Sequence, residues 1–303
     1  MKTIFAQLYN KTWRGEDVHF WTLDAAHVQE IRKRIVEDYC LTHRFDKNPK
    51  FNRENFAFVL VDDRFKLIYC AIPKVASTTM KEIFAQLYNK TWRGADVHYW
   101  TMGLKGKRNL IPLYLYTEEQ RVIRLKTYFK FLFVREPLHR LLSAFKDKFL
   151  GKSTGSRELT RSAREDIVKS YRPRDFVRGG SNLVTFPEFI KYFSDPERRR
   201  DHHWRQYDKI CHPCLVKYDF IGKLENFSED GPSLLRMGGL SDKAAFPPIH
   251  QHTSGDEVLN NYSQIPPDDI KKIGELYFSD FAMFGYEYLG PVKSVLKNAS
   301  DHS

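Results

Sequence analysis

No stretch of this 303-residue chain approaches the roughly 18 uninterrupted apolar residues that a spanning helix needs, so nothing in it reads as a membrane anchor. Met1 to Thr22 carries Tyr, Asn, Lys, Trp and Arg where a signal peptide would have its apolar core. No glycine occurs between Lys66 and Lys90, which removes a Walker loop of the G-x-x-x-x-G-K-[ST] type, and the kinase Gly-rich and His-Arg-Asp signatures are missing as well. Cysteine is scarce. Cys40, Cys70, Cys211 and Cys214 allow three pairings if all are oxidised. Cys211-His212-Pro213-Cys214 has the spacing of half a zinc site, but the second close ligand pair is absent, Cys40 with His43 being the one poor candidate. The cysteines therefore read as structural, in an oxidising compartment. Asn-x-Ser/Thr sequons at Asn10, Asn89, Asn226, Asn261 and Asn298 agree with a secretory route.

What is present is a basic chain of net charge +11, with 42% hydrophobic and 15% aromatic residues, enough to bury one sizeable core. Such a charge attracts polyanions: nucleic acid, anionic membrane or acidic glycans. Basic residues cluster at Lys105 to Arg108, Arg157 to Arg178 and Arg198 to Arg200, each equally readable as a solvated face. No RNA-recognition, zinc-finger or helix-turn-helix signature accompanies them, so nucleic acid is the weakest of these partners.

Met1 to Thr22 repeats Met80 to Thr101 except at Thr3/Glu82, Glu16/Ala95 and Phe20/Tyr99. Solenoids need three or more diverged units, so this near-copy reads as a duplicated gene segment or a gene-prediction error. The first copy, with an amphipathic pattern through Ile4, Phe5 and Leu8, lacks the strand and loop that precede the second.

That strand and loop carry the first functional signal. Phe65, Leu67, Ile68, Tyr69, Ala71 and Ile72 read as a buried strand, and Met80, Ile83, Phe84 and Leu87 recur at helical spacing. Between them, Pro73-Lys74-Val75-Ala76-Ser77-Thr78-Thr79 puts backbone N–H groups, hydroxyls and one ammonium at a helix N-terminus, where orphan donors and the macrodipole favour an anion. The ordinary alternative is a strand-to-helix turn capped by Ser or Thr. A second such unit follows. Phe129 to Val134 is strand-like, Arg135-Glu136-Pro137 breaks it, and Pro137 suits the first position of a helix. Leu138, Leu141, Leu142, Phe145 and Phe149 form that helix's apolar stripe, which leaves Arg140 and Ser143 off its centre.

Further along, Asn55 to Asp62 reads as a strand paired with the one at Phe65 through a turn at Asp62-Asp63-Arg64, and Glu118 to Tyr128 reads as a helix. Gly151 to Asn182 reads as a substrate-facing excursion or loop. Pro187 to Phe193 is helical, Val216 to Gly222 is a third apolar strand, and Glu225 to Gly238 is helical. Pro266-Pro267-Asp268-Asp269 opens a final helix with Ile270, Ile273 and Tyr277 on one face. Alternation of strand and helix predicts an α/β fold with a mainly parallel sheet flanked by helices.

The two loop signals together resemble the paired nucleotide-binding signatures of sulfotransferases that use 3′-phosphoadenosine 5′-phosphosulfate (PAPS). The wording is closest to the Golgi carbohydrate sulfotransferases that include the chondroitin 4-O-, dermatan 4-O-, GalNAc-4-O- and HNK-1 enzymes, the chondroitin 4-O-sulfotransferases above all. LIYCAIPKVAST, YFKFLFVREP, His203-Trp204, ICHPC with YDFIGKLE, and FAMFGY recur there in this order, over roughly Asn55 to Tyr286. One departure stands out. Where that family usually has Ala-Cys-Thr-Asn-Trp, this chain has Ala76-Ser77-Thr78-Thr79-Met80, which keeps hydroxyl and N–H donors.

The resemblance implies a P-loop-like sulfotransferase domain over 55–290, preceded by a non-catalytic segment (1–54) and followed by a flexible tail (291–303). It implies that residues Pro73 to Thr79 hold the 5′-phosphosulfate. Residues Arg135, Glu136, Pro137, Leu138, His139, Arg140, Leu141, Leu142 and Ser143 hold the 3′-phosphate. Lys74 is expected to stabilise the leaving oxygen and His203 to act as base, with Glu225 and Glu136 as the other candidates. Beside Arg135, Glu136 is expected to orient that arginine. The partner implied is an acidic glycan of chondroitin or dermatan type, the compartment the Golgi lumen, with membrane attachment only through an N-terminal anchor not seen in this sequence. PAPS is the donor and no metal is required. The alternatives are a glycan-binding relative without turnover and a nucleotide-dependent phosphotransferase.

Overall fold

Among the described residues, five short strands form one sheet, and its two central loops follow directly from how those strands pair. The computed structural model describes residues 24–47, 49–88, 109–150, 157–172, 183–198, 201–247 and 254–300. Strands β1 (Val59–Asp62) and β2 (Leu67–Cys70) are an antiparallel hairpin with Val59 opposite Cys70. Its turn is set by Asp62, whose Oδ1 accepts from the N–H groups of Arg64 (3.0 Å) and Phe65 (3.1 Å). Helix α1 (Ala25–Thr42) precedes the hairpin, and α2 (Ser77–Leu87) follows it. The two-residue strand β3 (Ile111–Pro112) pairs with β1. Helix α3 (Glu118–Thr127), opened by a Thr117/Gln120 capping box, leads into β4 (Phe129–Val134). β4 lies parallel to β2, with Cys70 opposite Leu132. After β4 comes α4 (Pro137–Phe145), with Pro137 in its first turn as the sequence suggests, widening into a π-helical turn over Lys146–Leu150.

Helices α5 (Arg157–Tyr171), α6 (Phe186–Ser194) and α7 (Tyr207–Cys211) lead to β5 (Phe220–Lys223), which is parallel to β4. Helices α8 (Phe227–Met237), α9 (Gly255–Tyr262), α10 (Pro267–Leu276), α11 (Phe278–Met283) and α12 (Lys293–Ser300) complete the described chain. The sheet order is β3-β1-β2-β4-β5. The parallel arrangement expected from sequence thus holds for β2, β4 and β5, while the hairpin makes the β1/β3 side antiparallel. All residues of β1 and β2 are buried, as the unbroken apolar runs require of strands covered on both faces.

Helix α1 closes the β5 edge. Gln29 Oε1 accepts from the Ile221 N–H (2.7 Å), its Nε2 donates to Ile221 O (3.2 Å), and Arg32 Nη1 donates to the same carbonyl (2.7 Å), so side chains do the work of a missing strand. A second apolar core lies beside the sheet, built from Leu138, Leu141, Leu142, Phe145, Phe149, Phe189, Trp204 and residues of α9 and α10. Two disulfides, Cys40–Cys214 and Cys70–Cys211, use all four cysteines, which makes them structural as read from sequence.

Several boundaries differ from the sequence reading. Arg53–Phe56 is a helical turn capped by Asn52, so the strand starts only at Val59. Pro213 opens another turn that ends at Lys217 in the left-handed region, delaying β5 to Phe220. The Gly151 to Asn182 stretch is no simple loop, because residues 157–171 form a helix whose Ile167 is fully buried in the second core. Within that stretch Arg172 pairs with Glu188 (2.7 Å), and Asp166 pairs with Arg198 (2.9 Å) from the later basic cluster. The helix opened at Pro266-Pro267 is not final, since α11 follows once Tyr277 leaves helical geometry. The first repeat copy lies outside the described residues, as does the second beyond Tyr88.

Candidate active site

Because β2 and β4 are parallel neighbours, the loops leaving their C-terminal ends sit side by side, the usual place for a ligand in such sheets. The first loop turns without glycine. Lys74 (φ 69°) and Ala76 (φ 49°) both take left-handed backbone, which costs a non-glycine residue about 1–2 kcal/mol each. Strain of this kind persists where the surroundings fix it. Ala76 is also the N-cap of α2 and offers no side-chain cap, so the first N–H groups of the helix, at Ser77 to Thr79, precede the backbone ladder that begins with Met80 N–H to Ala76 O (3.0 Å). Pro73 and Val75 are buried; Ser77, Thr78 and Thr79 are half-buried.

Lys74 Nζ lies 3.4 Å from Asp147 Oδ2, and Lys148 Nζ lies 3.2 Å from the same oxygen. Burial pulls the Lys74 ammonium below its ordinary range, Asp147 resists, and the Lys148 and Arg135 charges add to the depression. Arg135, at the end of β4, is 6% exposed. Its backbone is fixed by Tyr207, whose Oη donates to Arg135 O (2.6 Å) and accepts from Arg135 N–H (3.1 Å). Its guanidinium makes no hydrogen bond among the described residues. A buried cation without a hydrogen-bonded partner fits an anionic ligand.

The remaining residues of the second segment divide sharply. Glu136 does not grip Arg135; its Oε2 accepts from the His139 N–H (2.7 Å) as the N-cap of α4 and lies 2.7 Å from His139 Nδ1. Leu138, Leu141 and Leu142 are wholly in the second core. Arg140 is fully buried, donating to Pro73 O (3.3 Å), Arg205 O (2.8 Å) and His202 O (3.4 Å) with Asp280 at 4.0 Å, so it joins loops rather than facing a ligand. Pro137 is buried in the first turn, and Ser143 remains half-buried on α4.

Through Arg140, the loop bearing His202 and His203 is drawn to the same end of the sheet. His203 Nδ1 lies 2.5 Å from Asp201 Oδ1, and His203 N–H donates to that oxygen at 2.9 Å. Burial opposes the Asp201 charge, yet both histidines and the hydrogen bonds hold its carboxyl down to about 2. Being ionised, Asp201 only accepts, so Nδ1 carries the proton and Nε2 keeps its lone pair. Burial lowers the His203 pKa, with Asp201 opposing. Asp201, His202 and His203 place donor atoms within 4.8 Å of one another, a spacing a cation could bridge. Glu225, another candidate base, spends both oxygens, on Glu136 N–H (2.8 Å) and Tyr286 OH (2.9 Å).

Sequence reading missed Asp147, Lys148 and Asp201. Asp147 stands one helical turn after Ser143, and Asp201 stands two residues before His203 in an Asx-turn spacing, so both had a local signal.

A glycine-free loop at a helix N-terminus, a buried arginine whose guanidinium makes no hydrogen bond among the described residues although the Glu225 and Glu136 charges act on it, and an Asp–His pair gather at one end of the sheet, an arrangement compatible with group transfer. Residues 58–287 match the sulfotransferase family. Carbohydrate sulfotransferase 12 of Xenopus laevis is 33% identical over 295 residues, covering 87% of this chain and 70% of that protein. Carbohydrate sulfotransferase 11 of Rattus norvegicus is 31% identical over 278 residues (87% and 77%), and carbohydrate sulfotransferase 14 of Homo sapiens 31% over 281 (89% and 71%). No solved structure matches. The chain belongs to the sulfotransferase family, in its carbohydrate sulfotransferase branch. Among the described residues no helix is long and apolar enough to cross a membrane.

Proposed function

We propose that this chain moves a sulfuryl group from PAPS to a hydroxyl of an acidic glycan, the 4-hydroxyl of N-acetylgalactosamine in chondroitin or dermatan, in the Golgi lumen. The observation that carries this reading is the parallel pairing of β2 with β4, which sets Lys74 and Arg135 at one end of the sheet, each buried enough to favour an anion. Bound PAPS supplies a sulfur that accepts the sugar oxygen in line as its bond to the bridging phosphate oxygen breaks.

The N–H groups and hydroxyls of Ser77 to Thr79 hold the 5′-phosphate, and Arg135 with Ser143 holds the 3′-phosphate. Lys74 stabilises the electron pair left on the bridging oxygen. His203 Nε2 takes the proton of the attacking hydroxyl, and Asp201 holds the ring in the tautomer that makes Nε2 the base. Arg140, Leu138, Leu141 and Leu142 serve by supporting the loops. No metal is needed in this scheme. Acidic acceptor, Golgi site and the two disulfides agree with the basic charge, the sequons and the oxidised cysteines.

Incubation with radiolabelled PAPS and a panel of chondroitin, dermatan, desulfated heparan and HNK-1-type acceptors, followed by disaccharide analysis, tests the proposal. Label at the 4-hydroxyl of N-acetylgalactosamine is expected. Label confined to heparan, or none on any glycan, contradicts it.

A further inference from the structure

The π-helical turn after α4 is where the structure departs from regular geometry beside the site, and such single-turn bulges are often functional. It carries Asp147 and Lys148. One carboxylate oxygen, Asp147 Oδ2, is shared by two ammonium groups, Lys74 at 3.4 Å and Lys148 at 3.2 Å. Lys74, Asp147 and Lys148 side chains are 21%, 33% and 12% exposed, so all three are held in a setting where charges act strongly. Burial alone would raise the Asp147 pKa; Lys74 and Lys148 together bring it below the ordinary value. The Lys148 charge is also felt at His202 and His203, where it adds in a minor way to the lowering that burial causes.

A single oxygen between two ammonium groups has the charge layout of a bound oxyanion. We propose that Lys148 is a second ammonium for the transferring sulfonate, and that Asp147 is the internal anion that holds Lys74 and Lys148 together and is displaced by a sulfonate oxygen. This rests on the PAPS-dependent reading above and adds to it a residue that discriminates donor from product. The sulfonate is the one anionic group that PAPS has and adenosine 3′,5′-bisphosphate lacks. A residue that touches only that group changes the affinity for the donor and leaves the affinity for the bisphosphate alone.

The test is calorimetric titration, without acceptor, of PAPS and of adenosine 3′,5′-bisphosphate into wild type, Lys148→Gln, Lys148→Arg and Asp147→Asn, with the melting midpoint recorded for each. Lys148→Gln is expected to lose about tenfold or more in PAPS affinity, the scale of one charge-assisted hydrogen bond, with bisphosphate affinity unchanged. Lys148→Arg should recover most of that loss, and Asp147→Asn should bind PAPS at least as tightly as wild type. Equal losses for both nucleotides in Lys148→Gln, or no loss for either, overturn the inference while leaving the PAPS reading standing. Wild type that binds neither nucleotide removes the PAPS reading itself, and the inference with it.

Discussion

Arg140 Nε donates to Pro73 O at 3.3 Å, so a fully buried arginine on α4 is a strut beneath the loop that carries Lys74. Its other donors reach Arg205 O and His202 O, and its guanidinium lies 4.7 Å from the Tyr207 ring centre. Removing it takes a donor from the buried Pro73 carbonyl and from the part-buried Arg205 and His202 carbonyls, and leaves a void where a fully buried side chain stood. Arg140→Ala is expected to cost about 3–5 kcal/mol in chemical denaturation, from the lost charged-donor hydrogen bonds and the void left by a large buried side chain. Arg140→Lys recovers only a part, because one ammonium cannot reproduce a planar fork. A change under about 1 kcal/mol in Arg140→Ala contradicts the strut.

Asp280 gives stability a pH dependence. Burial pushes its carboxyl up to about 8 from an ordinary 3.8, and Arg140 pulls the other way without prevailing. The folded chain therefore holds a proton that the unfolded chain releases, so this contribution is complete below the unfolded value and is lost as pH rises towards 8. His202, which burial draws down to about 4 from 6.5, acts between those values, and Lys81 and Lys223, drawn down to about 8 by burial, act above that. Between pH 6.5 and 8 the wild-type denaturation free energy should fall, and Asp280→Asn should flatten the fall. An unchanged slope in that variant rejects the assignment.

His203 governs the rate profile. Burial holds its pKa below 6.5, so the acid limb of kcat/KM should lie below that value. Asp201 raises the His203 pKa through its hydrogen bond and charge, and Asp201→Asn should therefore move the limb to lower pH as well as slow the reaction. His203→Ala should lose about 10²–10⁴-fold in kcat. A profile that stays in place in Asp201→Asn removes Asp201 from its positioning role.

The Cys70–Cys211 bridge joins the end of β2, three residues before Pro73, to the helix that follows His203. It spans 141 residues, long enough for a large entropic effect on the unfolded chain. Replacing both cysteines by alanine should cost about 2–5 kcal/mol in denaturation. The same pair of substitutions is expected to loosen both loops, raising KM for the donor.

Much of this was legible in the sequence because it is local. Ile72 to Thr79 and Phe129 to Val134 show strand, loop and helix in register, and the parallel pairing puts the loops together as the alternation implied. What the sequence could not show is tertiary. Leu138, Leu141 and Leu142 share a segment with Arg135 yet face the other core, since a helix presents different residues to different neighbours. Arg140 looks like a ligand-facing cation until its three carbonyl partners, 62 to 67 residues distant, are seen. Glu136 looks like a partner for Arg135, but the N-terminus of its own helix claims it first.

The central claim is that one adenosine bisphosphate is held from both ends by the loops after β2 and β4. Thermal unfolding with adenosine 3′,5′-bisphosphate or ATP, in wild type, Lys74→Ala and Arg135→Ala, tests it most directly, because only a ligand of the native state raises the midpoint. The account predicts protection of wild type by the bisphosphate, weaker protection by ATP, and loss of most of the bisphosphate effect in Arg135→Ala. Protection by ATP without protection by the bisphosphate, or full protection retained in Arg135→Ala, would contradict it.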